Sequence, residues 1–178
     1  MAQNLKTTKY QNGASIETTT PAQQDISGVS NPKYQWAPGG SDNNVSAYGR
    51  LYTWYAVTDS RNVCPLSWHV ASNSEWTTMV DFLGGEALAG GKLKEAGLTH
   101  FASPNTGATN ESGFTSLPSG YRNIYGLFGG ITDSGQYWTT TEFNAVDTWC
   151  RSTWSGSTGV GHTYFAKSFG FSVRCIKD

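Results

Sequence analysis

YWTTTEFNAVDTWCRSTWSGSTGVGHTYFAKSFGFSVRCIKD (Tyr137–Asp178) closes the chain with two different patterns. Its last part, Phe171-Ser-Val-Arg-Cys-Ile, alternates apolar and polar residues. That period of two seats a terminal strand in a sheet. The part before it is rich in Gly, Ser and Thr, yet carries Phe143, Trp149, Trp154, Tyr164, Phe165 and Phe169. The strand reads as structure. The run before it reads as a surface that displays side chains, and it points to a binding module.

Upstream of this stretch the clearest local signal is residues 72–83. Ser72 with Glu75 is a capping box, Trp76, Met79, Val80 and Leu83 form one apolar stripe, and Gly84-Gly85 ends the helix. Residues 48–57 carry Tyr48, Leu51, Tyr52, Tyr55 and Ala56 at i, i+3, i+4, i+7 and i+8. That spacing predicts a second helix, with Ser46 as a candidate cap. Short strands are expected at Phe114–Pro118 and Ile124–Phe128, and several more from Gln136 onward. Residues 1–20 read as one or two strands around an Asn12-Gly13 turn. Residues 21–47 read as a long loop pinned by Tyr34 and Trp36. Both chain ends read as strands and are expected to pair. The result is one α+β domain over residues 1–178, with two helices packed on a small, twisted, mainly antiparallel sheet with long loops.

Composition narrows the function classes. Charged residues are only 14% and the net charge is -1, with no basic run, so binding nucleic acid through phosphates is not expected. No apolar stretch approaches the ~20 residues that span a membrane. The opening Met1-Ala-Gln-Asn-Leu-Lys has no apolar core of a signal peptide. The chain is either cytosolic or a piece of a longer secreted protein. Low charge, abundant Thr, Ser, Asn and Gly, and many rings favour the second. Of the three cysteines, Cys64 and Cys175 sit in apolar, strand-like surroundings and are paired in this reading. Cys150 sits in a polar run and is left free. The alternative is three reduced thiols.

The motifs Met1-Ala-Gln-Asn-Leu-Lys-Thr-Thr-Lys-Tyr, Tyr48-Gly-Arg-Leu-Tyr-Thr-Trp-Tyr-Ala-Val, Cys64-Pro-Leu-Ser-Trp-His, Leu117-Pro-Ser-Gly-Tyr-Arg, Tyr137-Trp-Thr-Thr-Thr-Glu and Gly170-Phe-Ser-Val-Arg-Cys run in order from end to end. In them the chain resembles the Fibrobacter succinogenes major paralogous domain, found in secreted and surface proteins of bacteria. That family is similar to the C-type-lectin-like fold of formylglycine-generating enzymes and of the variable proteins of diversity-generating retroelements. The resemblance implies joined terminal strands and a loop-rich ligand face. Ser67 and Ala71 depart from the family's Pro-x-Gly-Trp-His-x-Pro. Cys150 is also off-pattern, which supports an unpaired thiol. Relatives often carry Asn and Ser between Asn144 and Phe169, where this chain has Cys150, Trp154, His162, Tyr164, Phe165 and Phe169. Such a mixture resembles one member of a retroelement-diversified set.

Period two sends Trp149, Arg151 and Thr153 to one side of a strand and Cys150, Ser152 and Trp154 to the other. The first set matches the family pattern and is expected inside; the second is expected to face out. The ligand-binding residues expected here are therefore Phe143, Asp147, Cys150, Ser152, Trp154, Tyr164, Phe165 and Phe169. Rings on a polar loop give large contact area at low entropic cost. At least two of Trp154, Tyr164, Phe165 and Phe169 are expected to be exposed, against the alternative that all four pack the core. The partner is a protein or glycan on another cell or phage target, with a carbohydrate-binding module as the rival reading. Neither a cofactor nor a metal is expected. Asn110 and Glu111 are too few oxygens for Ca²⁺, and His69, His100 and His162 lack ligand spacing. Catalysis is not expected either: a formylglycine-type oxidase needs a close thiol pair. Arg122, Arg151, Arg174 and Glu142 read as structural ion pairs that tie loops together.

Overall fold

The structure, a computed structural model, describes residues 3–178; Met1 and Ala2 of the N-terminal motif lie outside the described residues. The Asn12-Gly13 turn forms, with the Gly13 N–H donating to the Tyr10 carbonyl at 2.9 Å. Beyond it, only an isolated bridge joins Lys9 to Ser15, so the expected N-terminal strands are irregular chain. Leu5, Tyr10 and Ile16 are held by burial in the core instead.

Strand β1 (Gln35–Trp36) pairs antiparallel with β2 (Leu51–Tyr52). Helix α1 (Val45–Tyr48) and helix α2 (Trp54–Val57) are single turns on either side of β2. The continuous helix expected over 48–57 is therefore wrong, and Ser46 lies inside α1 rather than capping a helix. Two physical reasons are visible. Gly49 takes φ 76°, and a Cβ there would lie 2.6 Å from the Cβ of Asn4. Tyr52 exchanges backbone hydrogen bonds with Phe171, at 2.8 and 3.1 Å. A long-range ladder overrides the local periodicity.

Strand β3 (Trp68–Val70) leads to α3 (Asn73–Phe82), where the capping box is complete. Ser72 Oγ accepts from the Glu75 N–H at 3.3 Å, and Glu75 accepts from the Ser72 N–H at 2.8 Å. Trp76 and Val80 are buried on its inner face, and Gly84 and Gly85 turn the chain at φ 100° and 88°. The short α4 (Ala89–Leu93) follows. The strands expected at Phe114 and Ile124 lie several residues later, as β4 (Ser119–Arg122) and β5 (Phe128–Ile131). Next come β6 (Ser134–Glu142), β7 (Asp147–Trp154), β8 (Val160–Ala166) and β9 (Cys175–Lys177).

Five strands form one sheet in the order β5-β4-β6-β7-β8, antiparallel except where β4 meets β6. The fold is thus α+β, with one long α-helix and three short ones among the described residues rather than two helices. The sheet is covered on both sides. Trp138 and Cys150 point into a core with Trp54, Phe171 and Val173. Tyr137 and Val160 point into a second core beneath Trp76, Val80 and Leu83 of α3. The chain ends do approach: the Leu5 N–H donates to the Val173 carbonyl at 3.0 Å. The terminal strand β9, however, pairs with β3 and not with the N-terminus.

Cys64 and Cys175 form the disulfide, with Cα atoms 5.9 Å apart, and Cys150 is free. His69, on β3, reinforces the same junction. Its Nδ1 lies 2.6 Å from Asp178 and its Nε2 lies 2.9 Å from Glu75. Asp178, then Glu75, raise its pKa above the ordinary 6.5. A raised folded value means that the stabilisation is full below about pH 6.5 and lost as pH rises through the folded pKa. Melting temperatures measured from pH 5.5 to 8.5 are expected to fall across that window, and His69→Gln is expected to flatten the fall.

Candidate functional site

Strand register places the side chains of the C-terminal stretch. Ser152 pairs with Gln136 on one side and Gly161 on the other, and Thr148 pairs with Phe165. Thr148, Cys150, Ser152 and Trp154 thus share a sheet face with Gln136, Trp138 and Phe165. Toward the β4 end of this face the core gives way to a groove of about 380 Å³. It is lined by Tyr121, Asn123, Gln136, Trp154, Phe165, Phe169 and Phe171.

The groove has one tryptophan wall and one phenylalanine wall. Trp154, at the end of β7, is 38% exposed, and its indole N–H donates to Ser152 Oγ at 3.1 Å. Phe165, Phe169 and Phe171 form a triangle with ring centroids 5.1 to 5.8 Å apart. Phe171 belongs to the buried core, so the wall is anchored while Phe165 and Phe169 stay half-buried. The floor holds Gln136, 3% exposed, whose Oε1 is buried without a hydrogen-bond partner. Asn123 Oδ1 accepts from the backbone N–H groups of Tyr125 and Leu127, so what its side chain can still offer a ligand is its amide N–H groups. No charged side chain lines the groove among the described residues.

Gly161 makes room for this arrangement. A Cβ on it would lie 2.2 Å from Ser152 Oγ and 3.5 Å from the Trp154 indole nitrogen. Gly161→Ala should therefore turn the Ser152 hydroxyl away and release the indole, at a stability cost of about 1–2 kcal/mol. The check is the Trp154 indole N–H resonance, which should move and broaden in the variant.

Trp154, Phe165 and Phe169 are the expected ligand residues that the fold brings together here. Ser152 is not an outward ligand residue: it is 2% exposed and lies beneath the Trp154 indole. Cys150 is a plain correction. It is fully buried in the core with Trp138, and burial pushes its thiol pKa far up. Both faces of β7 are covered at its centre, so alternation alone misplaced it. Arg151 and Thr153 are buried as expected, while Trp149 is only half-buried.

Phe143, Asp147 and Tyr164 lie on the other face, away from the groove. Phe143 and Tyr164 stack at 4.0 Å with planes 6° apart, and both are exposed. Trp149 supports them, and His162 lies against Trp149 at 4.4 Å. Asp147 accepts from the Asn144 amide inside its own turn. With Trp154 and Tyr164 both exposed, the four rings do not all pack the core.

The arginines are dispersed among separate networks. Arg151 binds Glu86, Asn73 and Thr77. Arg174 binds Asn4 and the carbonyls of Phe114 and Thr115. Arg122 binds the carbonyls of Ala22, Gln24 and Asn123 and stacks on Trp36. Two of the three thus tie loops through carbonyls rather than carboxylates, and Glu142 pairs with Lys167. Asn110 is bonded to Thr115, and Glu111 is paired with Lys92. Among the described residues no three His, Cys, Asp or Glu side chains cluster as metal ligands.

The family model of the Fibrobacter succinogenes major domain matches residues 1–177. The chain belongs to that family. No curated protein and no solved structure matches it. Within this Fibrobacter succinogenes major domain, motif residues build the frame: Arg122, Tyr137, Trp138, Phe171, Val173 and Arg174 are all buried. Trp154, Tyr164, Phe165 and Phe169 all keep exposed surface, whereas Cys150 is buried. Sequence reasoning missed Gln136, Tyr121, Asn123 and Phe171 as groove residues. Period two around Trp138 could have put Gln136 on the same face, but only the pairing with Ser152 reveals the groove.

Proposed function

We propose that this domain is a non-catalytic, ligand-binding module of receptor or adhesin type on a C-type-lectin-like frame. Its C-terminal stretch carries an exchangeable set of side chains, as in a retroelement-diversified variable protein. The observation that carries the reading is the groove itself. Three rings from a Gly-, Ser- and Thr-rich stretch line it, on a frame tied by a disulfide and three buried arginines. The C-type-lectin-like part is supported by the approach of the chain ends and by the packing of α3 on the sheet.

The non-catalytic reading is supported by the thiols. Cys64 is joined to Cys175, and Cys150 is enclosed, so no pair is free for an oxidase of the formylglycine type. A surface or secreted setting, or a phage-associated one, is supported by the disulfide, which persists in oxidising compartments. No helix among the described residues is long and apolar enough to cross a membrane. The partner is a molecule of another cell or a phage target, bound without nucleic acid and without a cofactor.

Two experiments test this reading. The DNA beside the gene should hold a reverse transcriptase and a near-copy of the region encoding the C-terminal stretch, with adenines at the differing positions. Absence of both removes diversification and leaves the binding reading. Selection from a displayed library varied at Trp154, Phe165 and Phe169 should yield clones with different ligands. If every clone keeps the parent's partner, the groove is not the ligand site.

A further inference from the structure

A polar group without a partner stands at the floor of an aromatic groove. Gln136 is nearly fully buried, and its Oε1 makes no hydrogen bond. Such a group lacks the hydrogen bond that buried carboxamides ordinarily have. We infer that the groove takes a neutral pyranose ring of a glycan, held on the Gln136 carboxamide between Trp154 and the Phe165–Phe169 wall. The inference rests on the groove being the ligand site and adds the chemical class of the ligand.

Four observations select that class. A carboxamide needs both a donor and an acceptor, and a sugar hydroxyl is both at once. The apolar C–H face of a pyranose lies flat against a ring, and the groove offers Trp154, Phe165 and Phe169 for it. No Lys, Arg, Asp or Glu lines the groove among the described residues, so a sulfated, phosphorylated or uronic ring would bring an unpaired charge. Its volume of about 380 Å³ lies at the small end of the range of roughly 300–1,000 Å³ for small-ligand sites, which suits one or two rings.

An aromatic or aliphatic side chain from a protein partner would fill the same space. It would leave Gln136 Oε1 without a partner as before, whereas a sugar hydroxyl can donate to it and recover the missing hydrogen bond. The hollow beside α3, lined by Trp76, Phe114 and Arg174, is only about 120 Å³ and is too small for a ring with its hydroxyls. The stacked Phe143–Tyr164 pair covers one face of each ring with the other and has no unpartnered buried polar atom beside it among the described residues.

The experiment is calorimetric titration of the intact domain with neutral mono- and disaccharides and with their uronic or sialylated counterparts. It is run on the natural protein, Trp154→Ala and Gln136→Leu. Neutral sugars are expected to bind, and acidic counterparts at least tenfold more weakly. Trp154→Ala should lose at least tenfold. Gln136→Leu keeps the volume but removes the carboxamide. It should lose about three- to tenfold in sugar affinity while its Tm rises by about 2–6 °C, because an unsatisfied polar group is gone.

Undiminished sugar binding by Gln136→Leu overturns the inference. So does the absence of any neutral-sugar binding when a library-selected peptide binds and depends on Trp154; the groove then stands as the ligand site with a different ligand class. A sugar that binds equally well to Trp154→Ala and to a Phe165→Ala, Phe169→Ala double variant shows instead that the groove is not the ligand site at all.

Discussion

Reduction of the Cys64–Cys175 bridge is expected to lower the stability of the domain by about 4–5 kcal/mol. The bridge spans 111 positions of sequence, and on the chain-entropy model a loop of that size contributes about that much by restricting the unfolded chain. A domain is stable by only about 5–15 kcal/mol in total, so the loss is a large share of it. The bridge fastens the loop after α2 to β9, the last strand, and both sulfurs lie in the core with Val63, Val70 and Val173. A Cys64→Ala, Cys175→Ala variant should therefore show a lower urea midpoint and a Tm lower by about 8–20 °C. Cys150 should stay unlabelled by alkylating reagents until the domain unfolds, since it is buried with its thiol pKa pushed up. A reductant effect below about 1 kcal/mol would mean that the packing around β9 holds the chain end without the bridge.

Lys94→Met is expected to be nearly as severe, with a functional consequence that the disulfide variant lacks. Lys94 is fully buried. Its ammonium donates to the carbonyls of Thr106 at 2.9 Å, Trp154 at 2.8 Å and Ser157 at 2.8 Å. Burial pulls its pKa down to about 8. That is still above neutral pH, so all three donors remain in place. Methionine fills much of the volume and satisfies none of the carbonyls. Leaving buried partners unpaired costs about 3–5 kcal/mol. Two of the three carbonyls belong to the turn that carries Trp154, so the variant should also loosen one wall of the groove. At a temperature where it remains folded, ligand affinity should drop along with stability. A Lys94→Met protein that is destabilised but binds normally would separate the pin from the groove.

The parts of this fold that rest on neighbouring residues were legible in the sequence. The Ser72–Glu75 capping box, the Trp76–Val80 stripe and the Gly84-Gly85 stop are local signals, and α3 follows them closely. The cysteine pairing followed from apolar surroundings. Residues 48–57 failed because their spacing satisfies a helix as well as it satisfies burial against Phe171 and Asn4, and only long-range contacts distinguish the two. The same limit applied to β7. Alternation separates Cys150 and Trp154 from Arg151, but it does not say how far each face is covered. At the strand centre, Cys150 meets Trp138 on one side and Arg151 meets α3 on the other. On the Cys150 face, coverage ends only at Trp154. The groove needed five separate segments, and Gln136 carried no signal of its own.

The central claim is that a rigid frame carries exchangeable groove residues. Its most direct test is protease resistance of a displayed library in which every position is varied singly. Substitutions at Trp154, Phe165 and Phe169 should leave most members resistant, while those at Trp138, Phe171 and Arg174 should leave few. Equal sensitivity in the two groups would contradict the account, because the groove would then be one more part of the core.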